Sequence, residues 1–419
     1  MSTIPSPDQD LLWSQLMALA EFREPDQPGW TRRVFFEPYR KSRNWTAALM
    51  AGAGLEVRRD PVGNLLGELP GADPQLPQIV IGSHTDTVAG GGRFDGVVGV
   101  VGAIEVVRLL SAVGRPLRHP LLVVDFLGEE PNRFGLSCLG SRAVTGQLHQ
   151  DHLRLRDEND LSLGEALLQA GGSPDELECG LWRRQRLLAY LELHIEQGSR
   201  LERAGIPLGV VSAISGIHRA VITITGRPDH AGTAAMDERR DALAAAAEVV
   251  LSLERLAAEV REGASGVGTV GRLELSPGAA NVVPGWARAW AELRSTDSTW
   301  LAGRHLALEA SIREMAAARR VGVEVDWVSA EPPVGCAPGA RLLIAEAAAE
   351  LGYRQMELSS GASHDAAQLA RLCPVGMIFI PSRDGRSHCP EEWSEPEQVA
   401  RGVSALLAAV LRLDRADSL

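Results

Sequence analysis

Three short apolar runs, unbroken by alternation, constrain this chain most. Residues 78–84 (QIVIGSH), 120–126 (PLLVVDF) and 188–193 (LAYLEL) each carry apolar side chains on consecutive positions and lead into polar turns. A strand wetted on one face alternates apolar and polar residues, whereas a strand covered on both faces does not have to. A helical stretch at residues 30–50 precedes the runs, and another at 96–111 lies between the first two. Buried strands alternating with helices predict an α/β fold: a mixed, mostly parallel sheet with helices on both faces.

The pattern changes after residue 214. Residues 219–225 alternate like a half-exposed strand, 241–260 form an alanine- and leucine-rich helix, and 268–275 and 286–294 read as strands. A helix at 300–319 and a strand at 321–328 complete a β-α-β-β-α-β order, that of a ferredoxin-like unit. A Glu331-Pro332-Pro333-Val334 linker precedes a return of α/β character: helices at 340–351, 362–372 and 397–413 and a strand at 376–380. The expected organisation is one α/β domain, residues 1–213 and 331–419, interrupted by an α+β domain at 214–330. Such an insert, of about 115 residues, is of ordinary domain size.

Charge and cysteine usage narrow the partners. With 42 Lys and Arg against 54 Asp and Glu in 419 residues, the net charge of −12 repels phosphate backbones, so nucleic acid is not expected. No run approaches the ~20 apolar residues of a membrane span, and the opening MSTIPSPDQD has neither the basic nor the apolar region of a secretory signal. Five cysteines without CxxC spacing argue against a disulfide framework or a thiolate zinc site. These features point to a cytoplasmic protein.

Polar clusters sit where the buried runs end, which is where open α/β sheets place their sites. Gly82-Ser83-His84-Thr85-Asp86 follows the first run, Gly128-Glu129-Glu130 the second, and His194-Ile195-Glu196-Gln197 the third. Asp95 lies in a glycine-rich loop before a helix, and His388 in a turn-rich segment near the C-terminus. Singly, each has an ordinary structural reading; together they form a ligand set. Imidazoles and carboxylates in mixture suit Zn²⁺, and also Mn²⁺, Co²⁺ or Ni²⁺. The candidates are His84, Asp95, Glu130, His194 and His388, enough for two ions if one carboxylate bridges. Glu129 is left as the acid to deprotonate water, and the Asp86 carboxylate is placed to accept the ring N–H of His84 and fix its tautomer.

The ordered segments GSHTDTV (82–88), GGRFDGVVGV (91–100), ELHIEQG (192–198), HAGT (230–233), SGASHDA (360–366) and SHCPEEW (387–393) resemble the hydantoinase/carbamoylase family of dinuclear zinc amidohydrolases. The resemblance runs from about residue 10 to 413. It implies that His84 and His388 are terminal ligands of different ions, Asp95 the bridge, and Glu130 and His194 the remaining ligands. It makes Glu129 the general base and Asp86 the residue that orients His84. His230 would stabilise the oxyanion, and Gln197, Asn281, Arg294 and the Gly361 loop would hold substrate, with His364 as a further candidate in that loop. The insert would act as lid and as the surface of a homodimer. Pro131, Asn132 and Ser363 depart from residues frequent in the family, without deleting a ligand.

The expected activity is hydrolysis of a ureido C–N bond in a small ureido carboxylate, N-carbamoyl-L-amino acid first and allantoate as the alternative. Aminoacylase or dipeptidase activity, or a silent ligand-binding homologue, are the more distant readings.

Overall fold

The computed structural model describes residues 4–112, 114, 116–259, 266–416 and 419. In chain order the elements are α1 (Gln9–Ala20), α2 (Glu37–Gly52), β1 (Glu56–Arg59), β2 (Leu65–Leu69), β3 (Gln78–His84), α3 (Val97–Ala112), β4 (Leu121–Phe126), α4 (Leu139–Val144), α5 (Leu163–Gln169) and β5 (Leu187–Ile195). Then come α6 (Arg200–Ala204), β6 (Leu208–Ile214), β7 (Gly216–Thr225), β8 (Asp229–His230), α7 (Ala242–Ala258), β9 (Gly266–Ser276), β10 (Val282–Val283), β11 (Trp286–Ser295), α8 (Ser298–Arg319) and β12 (Gly322–Glu331). The last are β13 (Val334–Gly335), α9 (Pro338–Glu350), β14 (Gln355–Ser360), α10 (Asp365–Leu369), β15 (Val375–Ile380) and α11 (Pro396–Leu413).

The chain forms two compact units. The first comprises residues 1–212, 336–358 and 364–419, and its sheet runs β1-β2-β4-β3-β5-β15-β6. The central four strands, β4-β3-β5-β15, are parallel. The flanks are antiparallel: a β1–β2 hairpin pairs with β4, and β6 with β15. Every residue of β4, β5 and β15 is buried, as continuous apolar runs require. The helices α3 and α11 are nearly as apolar, with 13 buried residues in α3. Truncating Leu406 of α11 to Ala would cost about 2–5 kcal/mol through lost transfer energy and a cavity. Pro396 at the first turn and a Glu395/Gln398 capping box start that helix.

Two local expectations change. Residues 30–36 are not helical: Phe35 adopts φ 71°, and the buried Arg32 turns inward, its Nε donating to the Thr85 carbonyl at 2.7 Å. The 362–372 segment is helical only over Asp365–Leu369, and the expected end of the 241–260 helix, Val260, lies outside the described residues.

The second unit comprises residues 213–335 and 359–363. Its antiparallel sheet, β12-β7-β11-β9, packs one face on α7 and α8, and Ala287, Ala289, Ala291 and Leu293 alternate inward along β11. Asp241 and Asp297 cap the two helices by accepting main-chain N–H bonds from their first turns. The unit extends past the expected residue 330 because β13, in the segment read as a linker, pairs with Ala213 and Ile214. It also takes in residues 359–363, since Ser215 donates both its N–H (3.0 Å) and its hydroxyl (2.7 Å) to the Ser360 carbonyl. Among the described residues no helix is long and apolar enough to cross a membrane.

Candidate active site

In the first unit, the carboxyl ends of the parallel strands carry the chemistry. His84 is the last residue of β3 and His194 the penultimate residue of β5; Glu129 and Glu130 follow β4, and His388 follows β15. Asp95 sits just before α3. The neighbouring Gly96 has φ 66°, and a Cβ there would lie 2.4 Å from His84 Nε2, so only glycine lets the loop close on the ring.

Three imidazole Nε2 atoms converge on the Asp95 carboxylate. His194 Nε2 lies 3.1 Å and His84 Nε2 3.6 Å from Oδ1, while His388 Nε2 lies 3.2 Å from Oδ2 and 3.3 Å from Glu130 Oε1. Each outer oxygen of one carboxylate therefore faces a different imidazole set. Among the described residues, His84, Asp95 and His194 form one group of potential donors and Asp95, Glu130 and His388 another, with Asp95 common to both. His84, Asp95, Glu130 and His194 are buried, and His388, with 46% of its side chain exposed, is the open edge.

The other ring nitrogens are held from behind. His194 Nδ1 lies 2.9 Å from the Ile195 carbonyl. His84 Nδ1 lies 3.1 Å from the main-chain oxygen of Asp86 and 3.5 Å from its Oδ1. Both contacts place the proton on Nδ1 and leave Nε2 as a lone pair toward Asp95. Here the structure refines the expected role of Asp86: its main-chain oxygen takes the closer contact with the ring. Its carboxylate instead accepts the main-chain N–H of Glu129 (3.2 Å) and of Glu130 (3.1 Å), fixing both acids. Pro131 leaves this arrangement intact, because the next turn is closed by Asn132 Oδ1 accepting from Phe134 N at 3.0 Å.

Without a cation this cluster is electrostatically unbalanced. Burial, then repulsion from Glu130, Asp365 and Asp86, pushes the Glu129 carboxyl well above its ordinary range against the pull of His84. Burial also works against charge on Asp95, but His194, His388 and His84 outweigh it and hold that carboxyl well below the usual range. Burial opposes charge on His388 as well, yet Asp95 and Glu130 raise it to about 11. Buried acids and imidazoles of this kind either share protons or surround a cation. The donors are oxygen and neutral nitrogen, the class that suits zinc and its neighbours.

Gln197 joins the same cluster. It adopts φ 56°, and its Nε2 donates to Asp95 Oδ2 at 2.7 Å. His364 is buried, its ring meeting that of His194 edge-on at 4.6 Å, and it forms a further group of potential donors with Glu192 and His194. In the second unit, His230 and Asn281 lie side by side. His230 pairs with Val282 across the β8–β10 ladder, and Ala231 N donates to the Asn281 carbonyl at 3.0 Å. The Nδ1 of His230 accepts from Gly232 N at 3.0 Å, which leaves Nε2 as the nitrogen that carries the ring N–H. Arg294 donates through Nη1 to the Gly361 carbonyl at 3.2 Å and through Nε to Glu292.

Sequence reasoning missed the acids that support these groups. Asp125 in β4 is buried, forms an ion pair with the buried Arg43 at 3.2 Å, and accepts from Thr85 Oγ1 at 3.1 Å. Glu192 in β5 accepts from Ser83 Oγ at 2.7 Å. Burial raises the carboxyl of each. The available signal was an acid inside an otherwise apolar run, since such a position is affordable only with a partner.

Residues 80–412 match the model of peptidase family M20/M25/M40. An N-carbamoyl-L-amino acid amidohydrolase from Geobacillus stearothermophilus is 40% identical over 407 residues, covering 96% of this chain and 98% of that protein. A ureidoglycolate hydrolase from Arabidopsis thaliana is 38% identical, covering 97% and 87%. The crystal structure of AtUAH in complex with (S)-hydroxyglycine superposes with a TM-score of 0.92 at 37% identity, covering 99% of both chains.

Proposed function

Because this chain belongs to peptidase family M20/M25/M40 and is a hydrolase of carbon–nitrogen bonds other than peptide bonds, we propose that it cleaves the ureido C–N bond of an N-carbamoyl-L-amino acid. The observation that carries the reading is the Asp95 carboxylate faced by three imidazole nitrogens, with the Glu129 carboxylate beside it, 3.7 Å from His84 Nε2. The residues fit two divalent ions, zinc first, with manganese, cobalt and nickel in the same donor class. His84, Asp95 and His194 would hold one, and Asp95, Glu130 and His388 the other. Bound there, such ions polarise a carbonyl and lower the pKa of water.

The remaining steps belong to the chain. Glu129 accepts a proton from the attacking water, whose oxygen adds to the ureido carbonyl carbon. The bond to the amino-acid nitrogen breaks as Glu129 returns the proton to that nitrogen, and the carbamic acid fragment falls to CO₂ and ammonia. Asp86 keeps Glu129 and Glu130 at their stations. The Nε2–H of His230 supplies a donor to the developing oxyanion. Arg294 takes the substrate carboxylate, with Gln197, Asn281 and the Gly361 loop completing its contacts. His364 acts through His194.

We further propose a homodimer joined through the second unit. In support, eight of the twelve exposed large apolar side chains among the described residues lie there, including Leu273 and Leu275 on the edge strand β9.

The likeness to the Arabidopsis ureidoglycolate hydrolase, and to an allantoate amidohydrolase, favours a second reading, allantoate or ureidoglycolate as the substrate. Ammonia release by the zinc- or manganese-loaded protein decides between them, with N-carbamoyl-L-amino acids, allantoate and ureidoglycolate offered in parallel and N-acetyl amino acids as control. Turnover of carbamoyl amino acids is expected. Cleavage of the acetyl compounds alone would sink both ureido readings. Glu129→Gln should lower kcat by about 10²–10⁴-fold while both ions stay bound; near-normal turnover would remove Glu129 from the role.

A further inference from the structure

One buried carboxylate outside the ligand set ties two loops of the site together. Glu392 is 1% exposed. Its Oε1 accepts the main-chain N–H of Phe94 at 2.8 Å and of Asp95 at 3.1 Å. Its Oε2 accepts the Ser387 hydroxyl at 2.7 Å, and Ser387 Oγ also lies 3.0 Å from Asp95 Oδ2. One side chain thus joins the Asp95 loop to the His388 loop, nearly three hundred residues apart in sequence.

The surroundings are built for that carboxylate. A Cβ at Gly92 would lie 2.1 Å from Glu392 Oε1, so the glycine leaves the volume the acid fills. The rings of Trp13, Phe94 and Trp393, with centroids 5.1–5.6 Å apart, pack together beside it. Hydrogen bonds to a charged acceptor in such surroundings are stronger than neutral ones. Glu392 belongs to none of the donor groups found among the described residues, so its contacts hold ligands and do not supply one.

The other ligands have their own supports. His84 and His194 ride on β3 and β5, and Asp86 fixes the main chain of Glu130. His388 lies in a loop, at φ 56°, and its neighbour Ser387 is held by Glu392. We infer that Glu392 is a positioning residue that fixes the His388 loop against Asp95, with Ser387 as its second arm, and that the ion shared by Asp95, Glu130 and His388 depends on it. The inference rests on the two-ion reading above.

Zinc titration of the metal-free protein by calorimetry tests it, with circular dichroism of each metal-free variant as the check on folding. Wild type is expected to bind two ions. Glu392→Ala should weaken one of them by about 10–100-fold, the usual effect of losing a residue that supports a ligand, and leave the other within a few-fold. Glu392→Gln should recover part of the loss, because its amide oxygen still accepts from Phe94 and Asp95. Ser387→Ala, a change that barely disturbs packing, should weaken the same ion by less. Unchanged binding of both ions in Glu392→Gln and Ser387→Ala, or equal loss of both, would overturn the inference. Wild type binding fewer than two ions would instead defeat the two-ion reading itself.

Discussion

Strands β5 and β11 are nearly equal in length, nine and ten residues, and are buried in opposite ways. All of β5 is inside, whereas β11 alternates strictly between buried and half-exposed positions. The cause is the layering: helices cover both faces of the sheet around β5, and only one face of the sheet around β11. The difference sets what a polar residue costs. In β5, Glu192 and His194 have lost water and must be matched by Ser83, Asp95 or a cation. In β11, Arg288, Glu292 and Arg294 share the half-exposed face, where water still screens them. A fully buried sheet can hold groups in unusual protonation states for bond breaking. A half-exposed sheet can present charged side chains for recognition.

Removing the ions gives the largest expected separation of the two units. Chelation should abolish turnover and lower the thermal transition of the first unit. An ion at 100 times its dissociation constant stabilises the folded state by about 2.7 kcal/mol. All the donor groups found among the described residues lie in the first unit, so the second should melt as before. A calorimetric shift of both units together would break the contrast.

A smaller effect is expected from the half-exposed face. Arg294→Lys keeps the charge and loses the planar fork, so KM should rise about 10-fold or more while kcat changes little. Steady-state kinetics separate the two constants. A fall in kcat with KM unchanged would place Arg294 with the bond-breaking groups instead.

A pH slope gives the last test. Burial, then repulsion from Glu192, raises the Asp365 carboxyl to about 8 in the folded first unit, against an ordinary value of 3.8. The folded state then keeps a proton that the unfolded chain releases. Its contribution to stability is fully present below pH ~4 and is lost as pH rises through about 8. Urea titrations of the metal-free protein across that window should show stability falling with pH, and Asp365→Asn should flatten the slope. An unchanged slope in the variant would show that Asp365 ionises like an exposed acid.

The central strands were legible because burial on both faces writes itself as consecutive apolar residues. The runs at 78–84, 120–126 and 188–193 coincide with β3, β4 and β5 to within two residues. The flanks were not: the β1–β2 hairpin, β6 and β14 are short or only partly apolar, and pairing with a neighbour, not their own pattern, makes them strands. The segment 331–334 read as a linker because of Pro332 and Pro333, yet Val334 and Gly335 pair with Ile214 and Ala213.

Residue order alone establishes the residue types and their stations: imidazoles and carboxylates at or beyond the ends of buried strands. How they face one another follows from the folding of the chain in three dimensions. That folding turned three Nε2 atoms onto Asp95, set the Asp86 carboxylate on the amides of Glu129 and Glu130, packed His364 edge-on against His194, and brought Glu392 to the backbone of Asp95. Apolar periodicity is a local property and survives in one dimension. A hydrogen bond between residues hundreds of positions apart depends on the closure of the whole sheet, and no local pattern records it.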